Sequence, residues 1–276
     1  MPESPEVDAL AGFLADAATG RVVRDVDVLE FRTVKTRTAP PAAIVGRTIT
    51  GAARHGKHVE LLLDEGSLVI SLGRHGWMRW READEEPPAD PDTPPALASL
   101  SLSGDTTIDM TDAGSWVSLG LFVVSDPYEV PAIAKLGPDP ARSTFTRADF
   151  DAALGGRRKQ VKAILQEQES IAGIGNAYSD EILHRAQVSP VAHAAALDDA
   201  ATTRLYEATI GTVRDAIAAR RGIPIDQLKA AKVAAMRVHG RTGEACPVCG
   251  DTIRDFAFAS TTAQYCPTCQ TGGELL

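Results

Sequence analysis

The feature that most constrains the fold of this chain is a pair of Cys-x-x-Cys motifs near its end. Cys246 and Cys249 form the first pair, Cys266 and Cys269 form the second, and 16 residues separate the two pairs. This spacing lets four thiolates converge on one zinc ion at the ends of a hairpin, whereas a redox dithiol needs only one such motif. The pattern therefore predicts one structural Zn²⁺ ion with four cysteine ligands and no open coordination position for catalysis.

The remainder of the chain must build its core without disulfides, because the 276 residues contain only these four cysteines. A hydrophobic content of 44% is sufficient for one or two buried cores and excludes disorder of the whole chain. The N-terminus lacks the basic start and apolar run of an export signal, and no apolar run of about 18 residues occurs. We therefore expect a globular, cytoplasmic protein with no membrane partner.

The net charge of −9 is not the simplest electrostatic profile for a protein that binds nucleic acids. Much of the acidic charge lies in a Pro-rich stretch, residues 82–95, which predicts an exposed loop. Basic residues cluster instead at 157–162, a stretch that includes Lys162, and at 220–241. These two stretches form a candidate phosphate-binding face, although a solvated helix surface has the same pattern.

Hydrophobic spacing divides the chain into three regions. Apolar residues recur at helical spacing over 5–17, and helical periodicity returns from 147 onward. Between them lie short segments of strand composition, namely 47–54, 57–63, 67–72, 77–80, 97–102, 106–110 and 117–124. We predict an α+β multidomain protein: an N-terminal β-sandwich domain with an N-terminal helix over 1–135, a helical domain over 145–238 and a zinc-finger β-hairpin over 239–276.

The first residues carry a candidate nucleophile. Removal of Met1, which a small second residue permits, would leave Pro2 with a secondary α-amino group. Such a group titrates near pH 8, so a useful fraction is neutral and can trap a carbonyl-like carbon as a Schiff base. Glu3 is a candidate general acid beside this amine, whereas Glu6 equally fits a carboxylate at a helix start. On spacing alone, a Met-Pro-Glu start does not indicate a function.

Five motifs in the same order resemble those of the formamidopyrimidine-DNA glycosylase and endonuclease VIII family. They are MPESPEV at 1–7, RHGKH at 54–58, LGPDP at 136–140, GIGNAYSDE at 173–181 and the terminal zinc ribbon. The resemblance covers nearly the whole chain and implies a helix-two-turn-helix fold for the helical domain. It also implies a base-excision DNA repair enzyme, a DNA glycosylase with AP lyase activity, that acts as a monomer on damaged double-stranded DNA.

The resemblance further implies roles for individual residues. Pro2 would attack C1′ of the damaged nucleotide, the base would leave, and elimination through the Schiff base would cut the strand. Glu3 would assist sugar opening and proton transfer, and Lys57 would position a phosphate or the lesion. Asn176 would hold a phosphate beside the extruded nucleotide, and Lys162 belongs to the basic cluster expected to bind DNA.

Two loops differ from the family where DNA-probing side chains are common. The turn at 72–76 places Arg74 or His75 at the usual position of a methionine wedge. The loop that usually carries an arginine and a phenylalanine has Ser115 and Trp116 instead, and the Trp116 ring is suited to stack on bases as a wedge.

The zinc hairpin and the segment 222–237 also differ. Thr261 stands where the family often carries an arginine, and Arg254 on the same hairpin is a candidate substitute. The segment 222–237 is short and helix-like, where some relatives carry a longer loop over an oxidised purine. The preferred lesion therefore stays open among oxidised purines, oxidised pyrimidines and bulkier adducts.

Two other functions are compatible with parts of the sequence. A noncatalytic zinc-finger DNA-binding protein that kept the glycosylase fold explains the altered probing residues, but not the retention of Pro2, Glu3, Lys57 and Asn176. A zinc-ribbon adaptor that binds another protein explains the cysteines but leaves the N-terminus unexplained. Salt-dependent binding to duplex DNA distinguishes the adaptor, which should lack it.

Overall fold

The computed structural model of the chain divides into two compact units. Unit 1 contains residues 1–2, 6–135 and 221–228, and unit 2 contains residues 3–5, 136–220 and 229–276. The described residues are 1–36, 39–82, 85, 93–258 and 261–276, without the side chains of Phe258 and Thr261. Most of the predicted acidic loop, 82–95, lies outside them. The segment 239–276 groups with the helical region, and the division into three domains stays a prediction.

The described residues contain the following helices and strands. The helices are α1 Ser4–Ala18, α2 Pro131–Ala134, α3 Arg147–Leu154, α4 Val161–Gln166, α5 Asn176–Ala186, α6 Asp199–Arg220, α7 Leu228–Ala235 and α8 Pro267–Thr271. The strands are β1 Val23–Val28, β2 Ile49–His55, β3 His58–Leu63, β4 Ser67–Ser71, β5 Gly76–Glu82, β6 Ala96–Leu102, β7 Thr106–Asp112, β8 Gly120–Val124, β9 Arg254–Phe258 and β10 Thr261–Tyr265.

Unit 1 is a β-sandwich. One antiparallel sheet has the strand order β1-β6-β7-β5 and the other has the order β2-β3-β4-β8. The inner faces of both sheets and one face of α1 contribute to a single apolar core, represented by Leu10 from α1, Leu61 from β3 and Met110 from β7. Burial of these side chains is the main favourable term for the unit. The predicted sandwich fold with an N-terminal helix is confirmed.

Strand β1 is the element of the sandwich that the sequence did not predict. Its residues, VRDVDV, include two aspartates and an arginine, and only Val23 is fully buried. The strand lies at a sheet edge and pairs antiparallel with β6, with Val26 opposite Leu100. Backbone pairing to β6 compensates for a composition that disfavours strands, because strand propensity depends strongly on context.

Unit 2 is helical, with the zinc hairpin at its end. Helix α3 begins at a capping box in which the side chains of Thr146 and Asp149 exchange hydrogen bonds with each other's backbone N–H groups. The apolar core of unit 2 includes Phe150 from α3, Ile182 from α5 and Leu205 from α6. Strands β9 and β10 pair antiparallel to form the hairpin. No helix among the described residues is long and apolar enough to cross a membrane.

Candidate active site and metal centre

The start of helix α5 is capped by a carboxylate from the N-terminal end of the chain. Its N-cap residue is Gly175, which has no side chain for capping. Glu3 replaces that cap: the backbone N–H of Gly175 donates to Oε2, that of Ala177 donates to Oε1 at 3.0 Å, and that of Tyr178 donates to Oε2 at 3.4 Å. These donors are among the groups that a helix start leaves without an intrahelical partner, and the positive end of the helix dipole favours the negative charge.

The contact between Glu3 and the helix start requires glycine at position 175. A Cβ atom built on Gly175 would lie 2.7 Å from Cδ of Glu3, closer than van der Waals contact allows. The backbone N–H of Ser4 also donates to the carbonyl of Gly173 at 3.0 Å. Glu3 is only 1% exposed, so its carboxylate is rigidly positioned in a largely desolvated place.

Lys162 is a buried structural cation in unit 2. Its side chain and that of Asp180 are both 0% exposed and form an ion pair, and its Nζ also donates to Ser179 Oγ at 3.0 Å. Burial lowers the pKa of the Lys162 ammonium from its ordinary value, and the charge of Asp180 opposes this effect. The prediction that Lys162 contacts DNA is wrong, because a fully buried ammonium group cannot reach a phosphate.

The residue beside this ion pair, Asn176, is the first residue of α5. It is half-buried, its backbone carbonyl accepts from Lys162 Nζ at 3.4 Å, and its Oδ1 accepts from Gln166 Nε2 at 3.3 Å. The ion pair therefore supports the backbone of the helix start where Asn176 is located. Its phosphate-binding role stays a prediction.

Two consecutive acidic residues of α5 hold the segment that precedes the zinc hairpin. The second carboxylate oxygen of Asp180 lies 2.7 Å from Nδ1 of His239. Glu181 accepts from the backbone N–H groups of Arg237, Val238 and His239 at 2.9–3.0 Å. Glu181 is therefore a structural residue of α5 that fixes the segment 237–239. The partnership of Asp180 with His239 had no signal in the sequence.

In unit 1, Lys57 lies in the turn between β2 and β3. Gly56, directly before it, has a φ of 56°, a left-handed conformation that favours glycine. The buried Arg54 guanidinium braces this turn, donating to the carbonyl of Gly56 and to Asp8 Oδ1, each at 3.1 Å. The Lys57 side chain is half-buried. The hairpin thus holds Lys57 in a defined place, and its role toward DNA stays a prediction.

The two predicted probing loops lie side by side in unit 1. Asp112 organises the second loop by accepting from the backbone N–H groups of Gly114, Ser118 and Leu119 at 2.8–3.0 Å. Desolvation raises the pKa of Asp112, but these hydrogen bonds outweigh it and hold the pKa below its ordinary value. The Ser118 hydroxyl accepts from the backbone N–H of Arg74 at 3.0 Å and so links the loops.

Both predicted wedge side chains are accessible. Arg74 is exposed, and Trp116 is 81% exposed although it is one of the largest apolar side chains of the protein. An apolar ring this exposed, on a loop whose backbone is fixed by a buried carboxylate, is available to pack on a partner. The structure therefore brings Arg74 and Trp116 together on neighbouring loops, and their contact with DNA stays a prediction.

The four cysteines form a metal centre. Their Sγ atoms all lie within 4.8 Å of one another, with 3.9 Å between Cys246 and Cys269 and 3.3 Å between Cys249 and Cys266. Zn–S bonds of about 2.3 Å at tetrahedral angles place thiolates about 3.8 Å apart, so the cluster fits a four-coordinate zinc ion. His184 Nε2 lies 3.3 Å from the Cys246 sulfur, and burial, followed by the charge of Arg237, lowers the pKa of this imidazole.

Arg254 begins strand β9 of the zinc hairpin and is exposed. It pairs across the hairpin with Tyr265, so its side chain is carried on a regular strand. Thr261 begins β10, but its side chain lies outside the described part of the structure. The role of Arg254 as a phosphate contact, in place of an arginine at position 261, therefore stays a prediction.

Sequence reasoning missed one residue that contacts the candidate catalytic carboxylate. Lys232 Nζ lies 3.4 Å from Oε1 of Glu3 and 5.0 Å from the ring centroid of Tyr178. Its only sequence signal was membership of the basic stretch 220–241, which did not distinguish it from its neighbours. Residues 3 and 232 are too far apart in the chain for any local pattern to pair them.

Comparisons with known proteins match nearly the whole chain. Three family models match: the formamidopyrimidine-DNA glycosylase N-terminal domain over 1–115, the formamidopyrimidine-DNA glycosylase H2TH domain over 136–226, and a zinc finger found in FPG and IleRS over 243–272. The zinc-finger match and the clustered thiolates together show that the cysteines hold one structural zinc ion.

Individual relatives agree with these models. The formamidopyrimidine-DNA glycosylase of Mycolicibacterium gilvum is 32% identical over 287 residues, which cover 98% of each chain. An uncharacterized formamidopyrimidine-DNA glycosylase-like protein of Mycobacterium tuberculosis is 47% identical over 146 residues, covering 53% of this chain and 91% of that protein. The crystal structure of the MutM (Fpg) protein from Thermus thermophilus has 30% identity, a TM-score of 0.82 and 98% coverage of both chains.

Proposed function

Because the chain belongs to the formamidopyrimidine-DNA glycosylase family, we propose that it is a base-excision repair enzyme that removes damaged bases from DNA and cleaves the resulting abasic site. The observation that carries this proposal is the placement of Glu3. Its buried carboxylate is held by three backbone N–H groups, and the residue directly before it, Pro2, has the candidate nucleophilic nitrogen.

The proposed reaction begins at the amine of mature Pro2. Its nitrogen forms a bond to C1′ of the damaged nucleotide while the bond from C1′ to the base breaks, and the departing base takes up a proton. The sugar ring then opens to give a Schiff base as the bond from C1′ to the ring oxygen breaks. The Glu3 carboxylate accepts the proton that the Pro2 nitrogen loses and donates it to that oxygen. Loss of a proton from C2′ then breaks the bond from C3′ to the phosphate oxygen, which cuts the strand.

The remaining predicted residues would bind DNA around this centre. Lys57 would position a phosphate or the lesion, and Asn176 would hold a phosphate at the start of α5. Arg74 and Trp116 would fill the space left by an extruded nucleotide, because an exposed aromatic ring stacks on bases regardless of sequence. Arg254 would contact phosphate from the zinc hairpin. We further propose that the protein acts as a cytoplasmic monomer on damaged double-stranded DNA.

A noncatalytic DNA-binding protein is the weaker alternative. A protein that only binds DNA has no need for a buried carboxylate directly after a potential N-terminal amine. Nor does it require Gly175, where any larger side chain would displace Glu3. Both features are expected if the carboxylate has a chemical task beside that amine.

The test is covalent trapping with borohydride. Protein that starts at Pro2, as verified by mass, is incubated with duplexes carrying an abasic site or a panel of damaged bases. We expect a protein–DNA adduct because borohydride reduces the Schiff base to a stable amine. The matched control is the same protein extended by a few N-terminal residues, in which the Pro2 nitrogen is an amide without a nucleophilic lone pair.

The extended control should form little or no adduct while retaining salt-dependent binding to the abasic duplex. If the Pro2-starting protein binds every duplex but traps none, the lyase activity is refuted and the noncatalytic alternative takes its place. Among the duplexes that carry a damaged base, the one that gives the fastest trapping identifies the preferred lesion.

A further inference from the structure

The hydrogen-bond donors around the Glu3 carboxylate are of two kinds. Three are backbone N–H groups at the start of α5, which cannot move without unwinding the helix. A fourth is the ammonium group of Lys232, 3.4 Å from Oε1, at the end of a long and rotatable side chain. A carboxylate oxygen has about two acceptor sites, and Ala177 and Lys232 both donate to those of Oε1.

Lys232 is held in this place by more than its charge. It lies in the last turn of α7, and its side chain is 13% exposed. Its Nζ lies 5.0 Å from the ring centroid of Tyr178, within the range of a cation–π contact. Tyr178 is itself 2% exposed and donates its backbone N–H to Glu3, so one residue orients both the carboxylate and its cation.

The other charged and titratable groups near Glu3 have different tasks. Lys162 of α4 exerts a Coulombic effect on Glu3, but its ammonium is committed to the buried Asp180. The phenol of Tyr178 is on α5, and the α-amino group of mature Pro2 is adjacent through the chain. Of these groups, Lys232 is a cation that both touches the Glu3 carboxylate and can move away from it.

This arrangement affects proton transfer at Glu3. A proton can reach Oε1 or leave it only when a donor vacates that oxygen, and Ala177 holds the same atom through a rigid backbone N–H. Movement of the Lys232 side chain opens an acceptor site without disturbing α5. Its positive charge, when in contact, stabilises the carboxylate form that accepts the proton.

We propose that Lys232 is a positioning residue for base release, the adjustable counter-ion through which Glu3 exchanges a proton with the sugar of the damaged nucleotide. The inference rests on the proposed function. It assigns a role in the reaction to α7, where neither the motifs nor the family models place a functional residue. The alternative is that Lys232 only stabilises the fold.

The experiment measures single-turnover base release, on the lesion that traps fastest, across a range of pH. The variants are Lys232→Met, which keeps the length but removes the charge, and Lys232→Arg, which keeps the charge. Lys135→Met is the matched control because Lys135 is an exposed lysine after α2. Far-UV circular dichroism verifies that each variant is folded.

We expect base release by Lys232→Met to be at least about 10-fold slower, a fraction of the about 10²–10⁴-fold that acid–base catalysis contributes. The acid limb of its pH–rate profile should move to higher pH, because loss of an adjacent positive charge favours protonation of a carboxylate. Lys232→Arg should keep the wild-type limb. In a Glu3→Gln background, Lys232→Met should have no further effect, since its partner no longer ionises.

A merely structural role would lower stability but leave the pH profile of the folded fraction in place. If Lys232→Met has the wild-type rate and profile while wild-type protein traps abasic DNA, the inference is wrong and the proposed function stands. An additive effect of Lys232→Met in the Glu3→Gln background also overturns it. If wild-type protein traps nothing, the proposed function fails first, and the inference fails with it.

Discussion

Replacing Lys162 by methionine distinguishes a structural lysine from a DNA contact. The ammonium group is completely buried and paired with Asp180, which is also completely buried. Removing one partner of a buried ion pair typically costs about 3–5 kcal/mol, because the other charge stays in a poorly solvating place. His239, 2.7 Å from the second oxygen of Asp180, compensates part of this charge. We therefore expect Lys162→Met to lower the free energy of unfolding by about 3 kcal/mol.

The assay is urea unfolding followed by far-UV circular dichroism, which reports on the helices of unit 2, whereas all three tryptophans are in unit 1. The double variant Lys162→Met/Asp180→Asn should be more stable than Lys162→Met, since it leaves no unpaired charge. Lys159→Met is the control: Lys159 and its partner Glu167 are both partly exposed, so its loss should cost no more than about 1 kcal/mol.

Salt-dependent DNA binding completes the test of Lys162. Loss of a lysine that contacts phosphate lowers the slope of log K against log salt concentration by about 1, whereas loss of a buried lysine leaves the slope unchanged. A structural role for Lys162 is refuted if Lys162→Met is as stable as Lys159→Met, or if its salt slope falls by one unit.

The zinc centre, Glu167 and Trp116 give three further predictions. Removing zinc with a chelator should unfold the small core around Cys266 and weaken DNA binding, while far-UV circular dichroism retains most of the α-helical signal. A metal-sensitive dye follows the release of zinc. An unchanged Kd for DNA after complete release would contradict this prediction. Hydrogen bonds from Arg157, then from Lys159, lower the pKa of Glu167 from 4.5 to about 2. A lowered pKa stabilises the folded state above pH 4.5, and this contribution is lost as the pH falls toward 2. Glu167→Gln should therefore remove about 1 kcal/mol of acid-dependent stability, measured by urea titrations at pH 5 and pH 3. Equal pH dependence of stability in the variant and the wild-type protein would count against this role of Glu167. Trp116→Ala should leave the free energy of unfolding within about 0.5 kcal/mol but weaken binding to an abasic duplex by about 1 kcal/mol or more, and unchanged affinity would exclude Trp116 as a stacking wedge.

Local patterns in the sequence were sufficient wherever the governing interaction spans few residues. The two Cys-x-x-Cys pairs predict the zinc centre because both motifs lie on one short hairpin that brings the thiolates together. The helical periodicity predicted from 147 onward agrees with the positions of α3 to α7, since apolar spacing is a local signal. Strand β1 was missed because its polar composition has no local strand signal, and pairing with β6 alone makes it a strand.

Burial and long-range contacts, in contrast, were decided by the tertiary structure alone. Lys162 has the same sequence signal as the partly exposed Lys159 beside it, and only the packing of α4 on α5 places it opposite Asp180. Glu3 had the pattern of a candidate acid, but its role as the cap of α5 depends on Gly175, 172 residues away. The contact of Lys232 with Glu3 likewise joins residues that are far apart in the sequence. The sequence by itself determined the family, the zinc ligands and the candidate nucleophile. The charges that surround the Glu3 carboxylate were determined by folding, because Coulomb interactions depend on distance in space rather than on separation along the chain.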